Sequence, residues 1–466
     1  MSGRKQNIST TETWRLKNRT VSEGQVGGQT LLWITENNLT DTNQIGNRLL
    51  ELIVSPWNLN KAYLQVKRNK GAAGVDKMEV ESLRDYLVLH RDELISSILT
   101  GTYRPNPVRR VLIPKDNGQR RLGIPTVVDR VIWQAISQVL TPMYEPQFSD
   151  HSYGFRPRRS AHDALRKCQK YITEGYRYAV DLDLEKFFDT VHHSKLMEVL
   201  SRTIKDGRVL SLIHRFLNAG VRIGSKTHPS EVGFPQGGPL SPVLSNILLN
   251  EMDKELERRG HKFVRYADDL LILCRSHRSA ERTMKSMTDF IEGKLFLKVN
   301  RDKSQTAHVR EVKFLGYGFY VRKGGRLRIH PKSVAKMKSK LKELTSRSNG
   351  WSIEYRKGKL RQFITGWINY FKLADMQMLL KEIDRWFRRK LRMVIWKQWK
   401  RVVTKMRNLM KLGIEKSQAC QWANTRKSYW HTAKSFILST SITTERLRKA
   451  GYIMLSDQYR KVRIKT

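Results

Sequence analysis

The spacing of apolar residues divides the chain into segments of helical and strand period. Leu49, Leu50 and Ile53 begin a helical pattern that is interrupted at Pro56, and residues 80–100 carry another. Residues 108–113 and 121–124 then flank the turn residues 116–118, so they predict a β-hairpin. Residues 128–140 return to a helical pattern, which we expect to end before Pro142.

The middle of the chain predicts strands that lead into acidic residues. Residues 178–184 are a predicted strand in which Asp181 and Asp183 point to the same face, because successive side chains alternate. Residues 263–273 are apolar on both sides of Asp268 and Asp269, and they predict two strands joined by an acidic turn. Residues 241–258 predict a helix that opens after a Pro- and Gly-rich loop.

After Pro331 the pattern is helical. The segment 376–400 carries one apolar stripe at spacings of three and four residues, formed by Leu380, Ile383, Phe387, Leu391 and Val394. Basic residues occupy its other faces. Such a face is either solvated or lies against a phosphate backbone, and the two interpretations are compatible.

Charge changes this picture, because the protein has 88 Lys and Arg against 43 Asp and Glu. The net charge of +45 favours a polyanionic partner, and nucleic acid is the first candidate. Residues 331–466 carry 34 basic and 8 acidic residues, a net charge of +26, interleaved with Trp and Tyr that can stack on bases. Residues 1–45 are polar and weakly patterned, and they predict an extension.

Cysteine usage and hydropathy exclude several classes of protein. The 3 cysteines lie far apart, which excludes a disulfide scaffold and a four-cysteine zinc site and favours a reducing compartment. No apolar run reaches the ~18–20 residues of a membrane helix. We therefore expect no membrane partner and a bacterial cytoplasmic location. An organelle stays open, because residues 1–20 also resemble a transit peptide in composition.

The acidic residues at 183, 268 and 269 stand out in this basic chain. Carboxylates held close together repel one another, and a hard divalent cation such as Mg²⁺ removes that cost. Two such ions about 3.5–4 Å apart would clamp the attacking and leaving oxygens of a phosphoryl transfer. The alternative is an ordinary acidic hairpin turn, and an Asp pair alone does not decide between them.

The blocks around these aspartates resemble those of reverse transcriptases in order and approximate spacing. Tyr266-Ala267-Asp268-Asp269 resembles the catalytic box, and the other similar blocks are residues 69–76, 113–125, 183–189, 233–242, 298–303 and 314–318. Together with residues 366–371, the chain from roughly 50 to 415 resembles the group II intron-encoded reverse transcriptases and maturases. The lack of a Cys-rich C-terminal nuclease pattern is similar to the short bacterial members of class C.

The resemblance implies catalytic and substrate-binding roles. Asp183, Asp268, Asp269 and the carbonyl of Leu184 would hold two Mg²⁺ ions, for which Mn²⁺ is a substitute, and Lys303 would protonate the leaving pyrophosphate. The residues implied for dNTP binding are Lys115, Arg121, Phe188 at the ribose 2′ position, and Gln236. Core packing is the alternative for Phe188, and a solvated hairpin is the alternative for Lys115 and Arg121.

For nucleic acid binding we expect three groups of residues. These are Gly316 at the primer grip, Arg156, Arg158 and Arg159 in a basic loop, and Arg385, Arg388 and Arg389 on the predicted helix 376–400.

The resemblance implies an α+β right-hand polymerase. Its predicted parts are a polar extension at 1–45, fingers and a palm with an antiparallel sheet at 46–330, a helical thumb and maturase domain at 331–410, and a basic helical nucleic-acid-binding region at 411–466.

We expect an RNA-directed DNA polymerase, a nucleotidyltransferase that copies intron RNA into DNA and assists intron splicing and mobility (retrohoming). The implied partners are group II intron RNA, an RNA template with a DNA primer, target DNA and dNTPs, and a homodimer stays open. One alternative is a bacterial reverse transcriptase without an intron partner, against which the Trp367 segment and the basic tail argue. The other is an RNA-binding splicing factor with a vestigial polymerase site, against which the intact aspartates argue.

Overall fold

The computed structural model describes residues 48–115, 118–321 and 325–464, so the predicted extension at 1–45 and the turn residues Asp116 and Asn117 lie outside this part of the chain. The chain forms two compact units. The first contains the residues before 165 together with residues 180–306, and the second contains residues 165–179 and 307–466. Helices and strands both build the fold, which confirms the α+β class. The predicted functional boundaries at residues 330 and 410 stay a prediction.

The strands of the described residues form two four-stranded sheets and one two-stranded sheet. Their bounds are β1 Val108–Lys115, β2 Gly118–Ile124, β3 Tyr178–Leu182, β4 Val221–Ile223, β5 Lys226–His228, β6 Lys262–Tyr266, β7 Asp269–Cys274, β8 Gln305–His308, β9 Tyr317–Phe319 and β10 Leu327–Ile329. The first sheet has the order β2-β1-β4-β5. Strands β1 and β2 form the predicted antiparallel hairpin, whereas β1 and β4 run parallel.

The second sheet has the order β6-β7-β3-β8. Strands β6 and β7 are the two predicted strands on either side of the acidic turn, and they pair antiparallel. Residues 270–274 are all buried, so both faces of β7 are covered. This order places the acidic hairpin next to the strand that leads into Asp183.

The helices of the described chain include most of those that the apolar pattern predicts. Their bounds in the first part of the chain are α1 Leu49–Val54, α2 Pro56–Asn69, α3 Leu83–Leu99, α4 Val127–Tyr144, α5 Ala161–Thr173, α6 Phe187–Thr190, α7 His193–Thr203, α8 Gly207–Asn218, α9 Ser241–Arg258 and α10 His277–Lys294. Those after the last strand are α11 Pro331–Leu344, α12 Ile353–Phe371, α13 Gln377–Gln398, α14 Val402–Lys411, α15 Lys416–Ala423, α16 Tyr429–Thr432, α17 Phe436–Ser441, α18 Thr444–Lys449 and α19 Leu455–Ile464.

The predicted end of helix α4 is wrong. The helix passes through Pro142 and continues to Tyr144. A proline in the last turn costs a helical hydrogen bond, but Tyr144 is buried and its ring stacks on Phe148 at a centroid distance of 6.3 Å. Tertiary packing therefore extends this helix beyond the local stop signal.

Helix α13 organises the second unit. Its five predicted stripe residues are all buried, which confirms the amphipathic pattern. The carboxylate of Asp384 accepts hydrogen bonds from the N–H groups of Leu455 and Ser456 at 2.9 and 3.0 Å, so it caps the start of α19. Burial raises the pKa of Asp384, and the hydrogen bonds oppose that rise. The last described helix is thus attached to α13.

No helix in the described ranges is long and apolar enough to cross a membrane.

Candidate active site

The acidic turn lies in a two-residue loop between β6 and β7. Tyr266 pairs with Asp269 across the hairpin, which leaves Ala267 and Asp268 in the loop. Ala267 has a φ of 58°, a left-handed conformation that a tight hairpin loop demands and that costs a non-glycine residue energy. Asp268 is half-buried and Asp269 is exposed, so both carboxylates are accessible at the tip of the hairpin.

Asp183 follows β3, the strand next to β7 in the sheet. Leu182 and Leu184 are buried, whereas Asp183 is half-buried, as the predicted alternation requires. The main chain of Asp183 is held by the segment after residue 298: its carbonyl accepts from the N–H of Asn300 at 2.9 Å, and its N–H donates to Ser304 Oγ at 3.1 Å. Ser304 thus supports the main chain of Asp183, but no sequence motif marks it for this role.

The carbonyl of Leu184 faces away from the segment that holds Asp183. Leu184 and Val299 form an antiparallel bridge in which the hydrogen bonds are made by residues 183 and 185, so theirs is a non-hydrogen-bonded pair. In such a pair both carbonyls point away from the partner strand.

The donor set fits a magnesium ion that is completed by substrate. Among the described residues no group of three or more His, Cys, Asp and Glu side chains forms a preassembled metal cage. Mg²⁺ is usually bound by one or two carboxylates together with substrate phosphates and water, so a full protein cage is not required. Carboxylates on neighbouring strands and an outward carbonyl provide this kind of partial site.

A cleft of about 250 Å³ in the first unit brings three of the predicted nucleotide-binding residues together. Its lining includes Arg121 from β2, Phe188 from α6 and Gln236 from the loop before α9. These residues are far apart in sequence, and their convergence in one cleft is decided by the fold. Lys115 pairs with Gly118 in the hairpin, but its side chain is not among those that the structure describes.

Phe188 is supported by a ring that the sequence reasoning missed. The Phe234 ring lies edge-on to Phe188 at 5.4 Å, and the N–H of Phe234 donates to the carbonyl of Phe188 at 2.8 Å. Gly233 has a φ of 79°, and a Cβ there would lie 2.7 Å from the Phe188 carbonyl oxygen. Phe187 is buried in the core, whereas Phe188 is half-buried on the cleft wall.

Gln236 is held in place by β2. Its side-chain Oε1 accepts from Arg120 Nε at 2.7 Å, and its carbonyl accepts from the N–H of Gly123 at 3.0 Å. Gly238 lies against Trp133, where a Cβ would come within 1.8 Å of the ring, so glycine lets this loop pack closely on α4. Arg120 is a second residue that the sequence reasoning missed, because alternation along a hairpin does not identify its partner.

Gly316 lies in a tight turn of the second unit. It has a φ of 84°, and a Cβ would come 3.2 Å from Phe371 Cζ. The carbonyl of Leu315, the preceding residue, accepts from Tyr370 Oη at 2.9 Å, so α12 clamps the turn. A role of Gly316 in gripping a primer stays a prediction.

The three arginines of the basic loop after residue 155 differ in burial and in hydrogen-bond partners. The prediction that Arg156 contacts nucleic acid is wrong, because its side chain is buried and its guanidinium bonds to Glu145 at 2.8 Å and to the Ser152 carbonyl at 2.9 Å. Arg159 is half-buried and pairs with Asp150 at 2.7 Å. Arg158 is exposed, so it is the member of this loop best placed for a phosphate.

The three predicted arginines on α13 also differ in exposure and in contacts. Arg385 is exposed and Arg388 is half-buried. The guanidinium of Arg389 stacks 3.6 Å from the centre of the Trp430 ring, and its Nε and Nη2 donate to the Trp430 carbonyl at 3.2 and 3.0 Å. Arg389 therefore attaches helix α16 to α13, and Arg385 has the open side chain.

Two family models match the chain. One described as reverse transcriptase (RNA-dependent DNA polymerase) matches residues 113–319, and one described as the group II intron maturase-specific domain matches residues 334–413. The chain is 35% identical over 321 residues to Protein YkfC of Escherichia coli (strain K12), which covers 60% of this chain and 84% of that protein. It is 29% identical over 400 residues to Group II intron-encoded protein LtrA of Lactococcus lactis subsp. cremoris, which covers 71% of this chain and 65% of LtrA.

The fold and these matches define a reverse transcriptase. More narrowly, the chain belongs to the group II intron-encoded reverse transcriptases and maturases. It is an RNA-directed DNA polymerase that carries an intron maturase domain and binds intron RNA, as the sequence predicted. Enzymes of the reverse transcriptase family use divalent metal ions.

Proposed function

We propose that this protein copies its own intron RNA into DNA at the sheet edge formed by β3 and the β6–β7 hairpin. The observation that carries the proposal is the placement of Asp183 and the Asp268–Asp269 turn on neighbouring strands, 85 residues apart in sequence. Asp183, Asp268, Asp269 and the Leu184 carbonyl would hold two Mg²⁺ ions, with Mn²⁺ as a substitute. When bound, these ions would activate the primer 3′-hydroxyl and neutralise charge on the leaving pyrophosphate.

The cleft residues position the nucleotide. Arg121 places a fixed positive charge beside the triphosphate, where negative charge accumulates on the leaving group. Gln236 presents a side chain whose orientation is set by Arg120. Phe188 forms the wall that a ribose 2′-hydroxyl would meet, so the site accepts deoxyribose.

Lys303 supplies the proton for the leaving pyrophosphate. Its side chain is exposed and lies beside Asp183, so it can reach an oxygen of a nucleotide bound there. The attacking 3′-hydroxyl would lose its proton to a neighbouring carboxylate or water as its oxygen bonds to the α-phosphorus and the bond from that phosphorus to the pyrophosphate oxygen breaks. The aspartates form no covalent intermediate.

The maturase domain and the basic C-terminal region bind intron RNA and target DNA. The supporting observation is the net charge of +26 on residues 331–466, with Arg385 exposed on α13. Arg158, which is exposed in the first unit, would contact nucleic acid by itself, and Gly316 shapes the turn that would hold the primer. Binding the active RNA conformation more tightly than inactive ones is enough to assist splicing, and insertion at a DNA target followed by copying gives mobility.

Primer extension on an RNA template tests the proposal directly. The wild-type protein with dNTPs and Mg²⁺ should extend an annealed DNA primer, and Asp268→Asn should give no extension while it keeps the same affinity for the template. A wild-type protein that binds intron RNA and extends no primer would favour a splicing factor with a vestigial polymerase site. Extension without any preference for the intron RNA that flanks its reading frame would favour a reverse transcriptase without an intron partner.

A further inference from the structure

A buried arginine lies directly before the catalytic turn. Arg265, on β6, is fully buried, and it forms an ion pair with Asp253 of α9, which is also fully buried. Arg265 Nε lies 2.8 Å from Asp253 Oδ1, and Nη2 lies 2.5 Å from Oδ2. Burying a charge is costly unless it is paired and hydrogen-bonded, so this bidentate pair makes the burial tolerable.

The remaining nitrogen of the guanidinium points at the turn. Arg265 Nη1 donates to the carbonyl oxygen of Ala267 at 2.9 Å and to Asn246 Oδ1 at 3.0 Å. The Ala267 carbonyl belongs to the peptide that carries the N–H of Asp268. Fixing this oxygen therefore fixes the plane of the peptide that leads into the first catalytic aspartate.

The turn needs such support, because Ala267 has a left-handed φ of 58°. That conformation is unfavourable for a residue other than glycine, so it persists only where the surrounding structure holds it in place. A second support comes from residues 151–154, which run along β6: the Arg265 N–H donates to the His151 carbonyl, and the Tyr153 N–H donates to the Arg265 carbonyl, both at 2.9 Å.

Gly154 completes the enclosure. A Cβ at Gly154 would lie 2.2 Å from the Ala267 nitrogen, so only glycine lets this segment approach the turn. Asn246 Nδ2 donates to the Gly154 carbonyl at 2.9 Å, and Asn246 therefore connects the same segment to Arg265. The buried side chains of Arg265, Asp253 and Asn246 are therefore hydrogen-bonded to one another and to the main chain of the turn and of the segment beside it.

We propose that Arg265, held by Asp253 and Asn246, is a positioning residue that sets the backbone geometry of the Asp268–Asp269 turn for metal binding. This inference rests on the proposed function of those aspartates. Its specific content is that a buried cation, which touches neither substrate nor metal, determines how tightly the turn takes its divalent ions. Groups that orient metal ligands typically change metal affinity or activity by about 10–100-fold when removed.

Arg265→Lys tests the proposal, because an ammonium can keep the charge opposite Asp253 but cannot also reach the Ala267 carbonyl as a planar fork. We expect the Mg²⁺ concentration for half-maximal primer extension to rise about tenfold or more, while the Kd for an annealed template–primer stays within about twofold. A merely structural role would lower the Tm and the active fraction without moving the Mg²⁺ dependence of the folded molecules.

Asn246→Ala keeps the test decisive if Arg265→Lys fails to fold. This variant leaves the Arg265–Asp253 pair intact and removes both the second acceptor of Nη1 and the bond to Gly154, so the half-saturating Mg²⁺ concentration should rise in the same direction by a smaller factor. Arg130→Lys is the matched control. Arg130 is another buried arginine whose guanidinium bonds to a main-chain carbonyl, that of Pro125, at 3.1 Å, and its replacement should lower the Tm without changing the Mg²⁺ dependence.

The possible results distinguish a failure of this inference from a failure of the proposed polymerase function. Suppose that Asp268→Asn is inactive and that Arg265→Lys folds but keeps the wild-type Mg²⁺ dependence: Arg265 is then an ordinary core residue and the inference is wrong. Where Arg265→Lys does not fold, the same conclusion follows if folded Asn246→Ala keeps the wild-type Mg²⁺ dependence. If the wild-type protein extends no primer, the proposed function fails first. A shift in the Mg²⁺ dependence for Arg130→Lys as large as that for Arg265→Lys would also overturn the inference, because it would show that any buried arginine has this effect.

Discussion

The ammonium group of Lys303 lies 3.4 Å from Asp183 Oδ2. These two residues are 120 positions apart, and the sequence predicts both for the same reaction, one as a metal ligand and one as a proton donor. The Lys303 side chain is 62% exposed and that of Asp183 is 34% exposed. The pair is therefore solvated and contributes little to the stability of the fold. A pair this weak can separate when metal and nucleotide bind.

Lys303→Ala should lower kcat about 100-fold, because a positioned general acid typically contributes that much, and should leave the template–primer Kd within about twofold. Lys298→Ala is the matched control, since Lys298 is an exposed lysine in the same segment. Single-turnover dNTP incorporation measures the effect. Equal losses for the two variants would show that Lys303 has no specific role, and a larger loss for Lys298→Ala would move the proton donor to that residue.

Phe188→Ala should open the cleft wall to a ribose 2′-hydroxyl. We expect the ratio of kcat/KM for an rNTP to that for the matching dNTP to rise at least about tenfold, since a single steric contact is worth about 1–3 kcal/mol. Phe234→Leu should shift the ratio in the same direction but less, because Phe234 only supports the Phe188 ring. An unchanged ratio in a folded Phe188→Ala protein would return this side chain to the core.

Arg120 and Gln236 should act as one unit in dNTP binding. Their side chains are joined at 2.7 Å, so Arg120→Ala and Gln236→Ala should each raise the KM for dNTP, and the double variant should be little worse than either one. Residues in direct contact show coupling energies of about 0.5–3 kcal/mol in a double-mutant cycle. Additive effects within about 0.3 kcal/mol would mean that the contact does not position Gln236.

Polymerisation and splicing assistance should separate by mutation. Asp268→Asn/Asp269→Asn should abolish cDNA synthesis and still promote splicing of the cognate intron at low Mg²⁺, because the RNA supplies its own chemistry. Joint reversal of Arg385 and Arg388 to Glu should impair splicing more than extension of a short annealed primer. Arg389 is left out of this variant because it holds Trp430, and changing it would loosen α16. Loss of both activities in the folded aspartate variant would couple the palm to RNA binding.

Glu255 should make the free energy of unfolding depend on pH in the acid range. The Arg258 guanidinium, with help from Arg259, lowers the pKa of Glu255 from 4.5 to about 2. Because the unfolded chain then takes up the proton first as pH falls, the stabilisation is present above about pH 4.5 and is lost between about 4.5 and 2. Chemical denaturation should therefore show Glu255→Gln destabilised near neutral pH, with a difference from wild type that shrinks toward pH 2. A difference from wild type that stays constant from neutral pH down to about pH 2 would contradict this prediction.

Local pattern determined the elements and the chemistry of this protein. The stripe from Leu380 to Val394 predicted a packed helix, and the apolar runs around Asp268 predicted a hairpin, because periodicity reports which faces must be buried. The ordered motif blocks identified the family, and they mark the aspartates that we propose as metal ligands. Helix α4 is the exception, because the burial of Tyr144 outweighed the stop signal at Pro142.

Only the tertiary structure decided which basic residues are available. Arg156, Arg158 and Arg159 are adjacent in sequence and chemically alike, yet the first is buried against Glu145, the second is exposed and the third pairs with Asp150. The tertiary structure also decided the partners of Arg120, Phe234 and Arg265, which belong to other elements of the fold. A sequence specifies the charge of a side chain, but the packing of the loops and helices around it sets which groups take up its hydrogen bonds, and those bonds determine whether the charge is available to a ligand.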